Sequence, residues 1–167
     1  HVGDGAGEFG SLTIPDGEDV RFGSLYLGVG HPTAHGYVEI NGATAQLRSS
    51  VDTWTTGSSI LSVGEDGIGE LLVTNGATLA RRTVYVGNNP GSVGTLTVTG
   101  ADSLIGVFTG WTLRIGQEGT GTFNLLDGAT TSGVAQLLVG NLGGSDGTVN
   151  VAGGAILTTT SSGRIAN

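Results

Sequence analysis

The chain contains no cysteine, no methionine and no lysine, and only three prolines. The absence of cysteine excludes disulfides, iron–sulfur clusters and thiol catalysis. Because methionine is absent, residue 1 is not a translation start, and we expect a processed product or a fragment. No apolar stretch approaches the roughly 18 residues that a membrane-spanning helix needs, so we expect no membrane insertion by this segment.

Positive charge is also scarce. Six arginines face fourteen acidic residues, which gives a formal net charge of −8. A surface of this sign repels phosphate backbones and anionic lipids, which excludes nucleic acid as a partner and disfavours membrane surfaces. A doubly wound α/β fold is disfavoured as well, because no long segment shows a helical period.

Glycine is abundant, with 33 of 167 residues, against a usual share of about 7%. The glycines belong to a repeat. Residues 61–79 are LSVGEDGIGELLVTNGATL, and residues 84–104, VYVGNNPGSVGTLTVTGADSL, are closely similar. Counted between matching glycines, the shortest repeats are 23 to 25 residues, and two longer ones carry insertions. Short strands in such units cannot bury an apolar face alone, which predicts that they stack as coils of a β-solenoid.

Two apolar columns recur within the second strand of each unit, two residues apart, as the inward positions of one strand require. The first column is Leu12, Val38, Leu71, Leu96, Phe123 and Val149, and the second is Ile14, Ile40, Val73, Val98, Leu125 and Val151. We predict that both form ladders in the core. A third apolar position recurs further along the unit, at Leu47, Leu79, Leu104 and Leu157.

Each coil must turn about three corners, and glycines suit such corners. Asn41-Gly42, Asn75-Gly76 and Asp127-Gly128 are predicted to be tight turns. A small alanine follows the second corner and is expected inside the bend; the copies are Ala43, Ala77, Ala101, Ala129 and Ala155. A β-sandwich of hairpins is the alternative architecture.

The phrase LxVG…GxGxLxVxxGAxL, clearest in residues 61–79 and 84–104, resembles the repeats of bacterial autotransporter passengers. It is most similar to the repeat associated with type V secretion and PEP-CTERM surface proteins. The resemblance covers nearly the whole chain. It implies a right-handed parallel β-helix, exported to the cell surface or extracellular matrix, of the kind that serves in adhesins, stalks and biofilm matrix. The connections from Ala43 to Leu61 and from Ala101 to Leu113 are longer than the minimal coil of that family.

Aromatic residues are the first candidates for contact with a partner. Trp54 and Trp111 belong to the two long connections, and Tyr37 interrupts a rank of outward threonines. Aromatic side chains on loops often bind glycans or proteins. Local packing over the edge of a coil is the alternative for both tryptophans.

Catalytic and metal-binding patterns are weak. Glu39 and Glu70 lie on neighbouring coils in different columns, so a catalytic pair is disfavoured and no catalytic residue is predicted. The acidic turns at Asp4, Asp66 and Asp146 lack the fixed spacing of calcium-binding β-rolls, which leaves at most incidental calcium and no cofactor. His31 and His35 lack an obvious third ligand. The outward threonines could order water as ice-binding solenoids do, but the rank is broken in the middle.

We therefore predict a single β-solenoid domain over residues 1–167, repeat-like and uncapped at both ends, with about six coils. The first functional hypothesis is a non-enzymatic structural element of the bacterial surface or extracellular matrix, with self-association head to tail into filaments. The second is an adhesive module that contacts glycan or protein near Trp54 and Trp111, and the third is a carbohydrate-active β-helix enzyme.

Overall fold

The computed structural model describes residues 1–50, 59–106 and 110–165, and these residues form β-strands and turns without a helix. Nothing helical in this part of the chain could therefore cross a membrane. The strands in chain order are β1 (Val2–Asp4), β2 (Phe9–Ile14), β3 (Asp19–Phe22), β4 (Leu25–Val29), β5 (His35–Asn41), β6 (Gln46–Ser49), β7 (Ile60–Val63), β8 (Ile68–Thr74), β9 (Thr78–Ala80), β10 (Thr83–Val86), β11 (Val93–Thr99), β12 (Leu104–Ile105), β13 (Trp111–Ile115), β14 (Thr120–Leu126), β15 (Thr130–Thr131), β16 (Val134–Val139), β17 (Asp146–Val151) and β18 (Thr159–Ile165).

Three parallel sheets run the length of the molecule, and successive strands along the chain move from one sheet to the next. The first sheet has the order β1-β4-β7-β10-β13-β16-β18, the second has β2-β5-β8-β11-β14-β17, and the third has β3-β6-β9-β12-β15. Each coil therefore lies on the coil before it. This confirms the β-solenoid of about six coils, and the parallel pairing rules out a sandwich of hairpins in the described residues.

The core lies between the three sheets, and both apolar columns of the repeat run through it. In the second sheet Leu71 pairs with Leu96, which pairs with Phe123, and Val73 pairs with Val98 in the neighbouring column. The pairing runs through every predicted member of both ladders, from β2 to β17. Members in the middle coils are buried, whereas Leu12 and Val149 are half-buried and Val151 is 44% exposed, because another coil covers them on one side only.

A column of glycines lies at or next to the ends of the strands β1, β4, β7, β10 and β13 in the first sheet. Gly64 has a φ of +77°, and a Cβ atom there would overlap the carbonyl oxygen of Val93 on the next coil. The backbones of the two coils approach so closely here that the side chain can only be the hydrogen atom of a glycine. The equivalent glycines share the positive φ and the close approach: Gly3, Gly28, Gly87 and Gly116. The LxVG phrase therefore encodes a corner as well as a strand.

In the third sheet, one of the recurring leucines of the third apolar position does not face the core. Leu104 pairs with Thr78 and is half-buried, whereas Ile105 pairs with Leu79 and is fully buried. Leu104 therefore does not occupy the inward position that Leu79 holds in the neighbouring coil. The turn after β11 holds one more residue than the turn after β8, and the added residue places Ile105, instead of Leu104, opposite the buried Leu79.

The same difference in turn length corrects two of the predicted alanines. Ala77 and Ala129 lie inside the bend and are buried, but Ala43 and Ala101 are exposed. In those two longer turns the inside positions belong to Ala45, which is buried, and to a serine, Ser103. Ser103 is also buried and meets its hydrogen-bonding needs locally: its hydroxyl donates to the carbonyl of Thr99 at 2.8 Å and accepts from the amide of Gly76.

Candidate functional site

A shallow groove lies on the outer face of the second sheet, across three consecutive coils. We call it the Tyr37 groove. It encloses about 210 Å³ and is lined by Tyr37, Glu70, Leu71, Leu72, Thr95 and Thr97. Each coil contributes through one strand, namely β5, β8 and β11.

Strand alternation and register assemble the groove. Tyr37 pairs with Glu70, which pairs with Thr95, so these three form one outward column. The next outward column on the same strands holds Glu39, then Leu72, then Thr97. Successive outward positions on one strand lie two residues apart. The floor is thus formed by Glu70 and Leu72, between the tyrosine ring and two threonines.

Hydrogen bonds hold Tyr37 and the neighbouring carboxylate Glu39 in place beside the groove. The Tyr37 hydroxyl donates to Glu39 Oε2 at 3.3 Å, and the Asn41 amide nitrogen donates to Glu39 Oε1 at 2.8 Å. His35 Nε2 lies 3.2 Å from Glu70 Oε1. Burial raises the pKa of the Tyr37 phenol, and the negative charges of Glu39 and Glu70 raise it further. The phenol is therefore protonated at neutral pH and available as a donor.

The face around the groove carries one sign of charge. The six strands of the second sheet contain Glu39, Glu70 and Asp146 but no arginine and no lysine. The arginines occur outside these strands: Arg21 and Arg48 lie in strands of the third sheet, and Arg114 and Arg164 lie in strands of the first. The topology thus places the acidic groove on the face without arginine.

The three aromatic residues predicted to contact a partner have different outcomes. Trp111 begins β13 and is 1% exposed, and its Nε1 donates to the carbonyl of Ser132 at 2.6 Å. The prediction that Trp111 contacts a partner was therefore wrong, because the indole fills the core at the corner after the long connection. Trp54 lies outside the described residues. Tyr37 lines the groove, where its role in binding stays a prediction.

The floor and far wall of the groove, formed by Glu70, Leu72, Thr95 and Thr97, were not predicted from the sequence to be a binding surface. A signal was present, because Tyr37, Glu39, Glu70 and Leu72 interrupt an otherwise hydroxyl-rich outward rank. Glu39 and Glu70 are diagonal neighbours on adjacent coils, since Glu39 pairs with Leu72 and Glu70 pairs with Tyr37. The arrangement can accept hydrogen bonds and attract a cation.

The predicted turn acids and histidines have structural contacts. Asp66 accepts from the amide of Gly30 at 2.8 Å and from the side chain of Asn89 at 2.8 Å, which ties three successive coils together at one corner. His31 lies 2.8 Å from the Thr33 hydroxyl, whereas His35 faces Glu70. Within residues 1–50, 59–106 and 110–165, no three His, Asp or Glu side chains are grouped as metal ligands.

Arg81 is a buried cation inside the solenoid that was not predicted from the sequence. Its Nη1 donates to the carbonyls of Phe22 at 2.9 Å and Gly23 at 3.2 Å, two coils away. Burial lowers the pKa of Arg81 to about 10, so the guanidinium is still charged at neutral pH. Both contacts are to backbone carbonyls. Arg81, in the corner between β9 and β10, therefore links its own coil to the coil that contains β3.

Comparison with known proteins gives a limited similarity. The chain is 33% identical over 81 residues to the uncharacterized lipoprotein YdeK of Escherichia coli strain K12. The aligned part is 48% of this chain and 6% of that protein, so the chain spans only a small fraction of its relative. No protein-family profile matches the chain, and no solved structure matches it. The resemblance to autotransporter passenger repeats accordingly stays a prediction.

Proposed function

We propose that this chain is a structural segment of an exported bacterial surface protein. In this role it performs no catalysis and serves as a rod of stacked coils. The solenoid fold and the partial similarity to a lipoprotein support an exported, surface-exposed location. Repeat folds of this kind gain stability from contacts between neighbouring coils, which suits a rigid spacer.

This proposal rests on the edge strands at the two ends of the solenoid, which expose apolar side chains. At one end, β2 and β3 are edge strands, and of their inward residues Leu12 is half-buried and Phe22 is 36% exposed. At the other end, β17 and β18 are edge strands with Val151 44% exposed and Ile165 79% exposed. Open backbone edges beside apolar side chains are templates for a further strand. Each end therefore offers a surface on which a further coil of the same kind can stack, from the same polypeptide or from a second copy, and stacking of unlike ends between copies would build filaments.

The test is the association of the purified chain as its concentration rises. We expect sedimentation velocity to show species that grow with concentration. Val151→Lys should suppress them, because a lysine in this inward column would be buried under a stacked coil. Thr148→Lys adds the same charge on the outward face of the same strand and should leave association unchanged.

A chain that stays monomeric at its highest soluble concentration would overturn end-to-end stacking. Equal suppression by Val151→Lys and Thr148→Lys would also count against it, because the effect would then follow net charge and not the stacking surface.

A further inference from the structure

We propose that the Tyr37 groove binds the cationic side chain of a basic peptide, a lysine or an arginine. This inference goes beyond the structural role proposed above. It depends on three features of the groove: its charge, its lining and its size.

The charge of the groove favours a cation. Glu70 and Glu39 flank the Tyr37 ring, and the six strands of this sheet carry no arginine or lysine to neutralise them. Among the described residues, His35 is the ion-pair neighbour of Glu70, at 3.2 Å. The chain as a whole has a formal charge of −8, which steers a positively charged partner toward the surface.

The lining matches a cation on an aliphatic stem. A long basic side chain needs an apolar surface along its methylenes and anionic or aromatic groups at its head. Leu72 supplies the apolar surface, Glu70 supplies the carboxylate and Tyr37 supplies the ring. The hydroxyls of Thr95 and Thr97 can accept further hydrogen bonds from an ammonium or guanidinium group.

The size of the groove indicates one side chain per site. Its volume of about 210 Å³ is below the roughly 300–1,000 Å³ of sites for drug-sized ligands. It extends over three coils, or about 10 Å at the spacing of strands in a sheet. A single lysine or arginine on an extended peptide fits this space, whereas a folded domain would need a larger surface.

The groove is also pre-organised. The Tyr37 hydroxyl donates to Glu39, which the Asn41 amide also holds, so the tyrosine wall of the groove does not have to reorder when a ligand arrives. The strands that carry it pair over seven residues each, in the best-buried part of the solenoid. The groove therefore loses little conformational entropy when a ligand binds.

The experiment titrates the chain with a capped peptide of alternating lysine and threonine, followed by isothermal calorimetry and amide chemical-shift changes. We expect saturable binding that weakens as salt rises, with shifts centred on Tyr37, Glu70 and Thr95. The same peptide acetylated on every lysine should not bind, because it lacks the charge. Glu70→Gln should weaken binding about fivefold, as for a partly exposed charge pair.

The matched control is Glu118→Gln, which removes one exposed carboxylate at a corner between the first and second sheets. It should change affinity less than twofold. Tyr37→Leu keeps an apolar wall without the ring and hydroxyl and should weaken binding as Glu70→Gln does. Melting curves establish that each variant is folded.

Three outcomes would overturn the proposal. The first is an acetylated peptide that binds as tightly as the unmodified one. The second is an equal loss of affinity in Glu118→Gln and Glu70→Gln, which would mean that the peptide is attracted by the net charge of the chain and not by the groove. The third is binding of glucosamine oligomers with none of the peptide, which would assign the groove to an amino sugar. None of these bears on end-to-end stacking, which Val151→Lys tests separately.

Discussion

At the scale of single residues, backbone geometry explains more of this chain than side-chain chemistry does. The corner glycines are required because the backbone of one coil passes against the backbone of the next, as Gly64 does against Val93. Trp111 illustrates the opposite case, in which a large residue expected at the surface fills the core. Both residues are explained by packing between coils, and neither needs a ligand.

The glycine column provides a prediction with a built-in control. Gly64 and Gly91 both have positive φ, at +77° and +80°, but a Cβ at Gly91 meets nothing within 4 Å. Gly91→Ala should cost about 1–2 kcal/mol from the left-handed backbone alone. Gly64→Ala adds a clash with the Val93 carbonyl and should cost about 3–5 kcal/mol. The measurement is the free energy of unfolding in urea, and equal losses for the two variants would contradict the stacking role of the column.

At the scale of elements, polar ladders run along the outside of the sheets and complement the apolar ladders inside. In the third sheet Asp19 on β3 is paired with Arg21 on the same strand and with Arg48 on β6. Hydrogen bonds from Arg48 lower the pKa of Asp19 well below its usual value, and those from Arg21 lower it further. The carboxylate thus bridges two coils on the outer surface.

This bridge predicts a dependence of stability on pH. Because the pKa of Asp19 is lower in the folded chain than its ordinary value of 3.8, the folded state holds fewer protons there than the unfolded state as pH falls below about 5. The stabilisation from the Asp19 carboxylate is therefore fully present above about pH 5 and is progressively lost as the pH falls toward 2. Unfolding free energies should therefore fall more steeply with acid in the wild type than in Asp19→Asn.

Glu118→Gln serves as the control for that experiment, since it removes a carboxylate outside the third sheet. It should keep the acid dependence of the wild type. If Asp19→Asn and the wild type show parallel curves between pH 5 and pH 2, the bridge contributes nothing to folding.

At the scale of the whole molecule, stability is expected to accumulate from coil to coil. Leu96 lies in a middle coil, with Leu71 on one side and Phe123 on the other, and is fully buried. Leu12 belongs to the same ladder but pairs with Val38 alone and is half-buried. Interfaces between neighbouring coils are the units of stability in such a fold.

Truncating the two leucines compares a middle coil with an outer one. Leu96→Ala should cost about 2–5 kcal/mol, as for a fully packed core position. Leu12→Ala should cost less than half as much, because it has packing on one side only. Chemical denaturation measures both, and hydrogen exchange should show slower exchange in β8 and β11 than in β2. A larger loss from Leu12→Ala would contradict a stability that accumulates between coils.

The repeated phrase is sufficient to define the architecture of this chain. Its apolar columns placed the inner ladders, since the two-residue alternation of a strand and the recurrence of LxVG leave few other ways to bury Leu71, Leu96 and Phe123 together. The corner glycines were recognisable for the same reason. These features depend on spacing within a unit, and spacing is visible in the sequence.

Contacts between coils determined which side chains of the turns face the core and which residues meet on the outer face. One added residue in a turn moved Ile105 inward in place of Leu104, and packing took Trp111 into the core. The Tyr37 groove likewise exists only because pairing brings β5, β8 and β11 side by side, with Glu70 between Tyr37 and Thr95. Residues about 30 positions apart in the chain become neighbours at about 4.8 Å, the spacing of adjacent strands, and the sequence encodes that contact only through the register between coils.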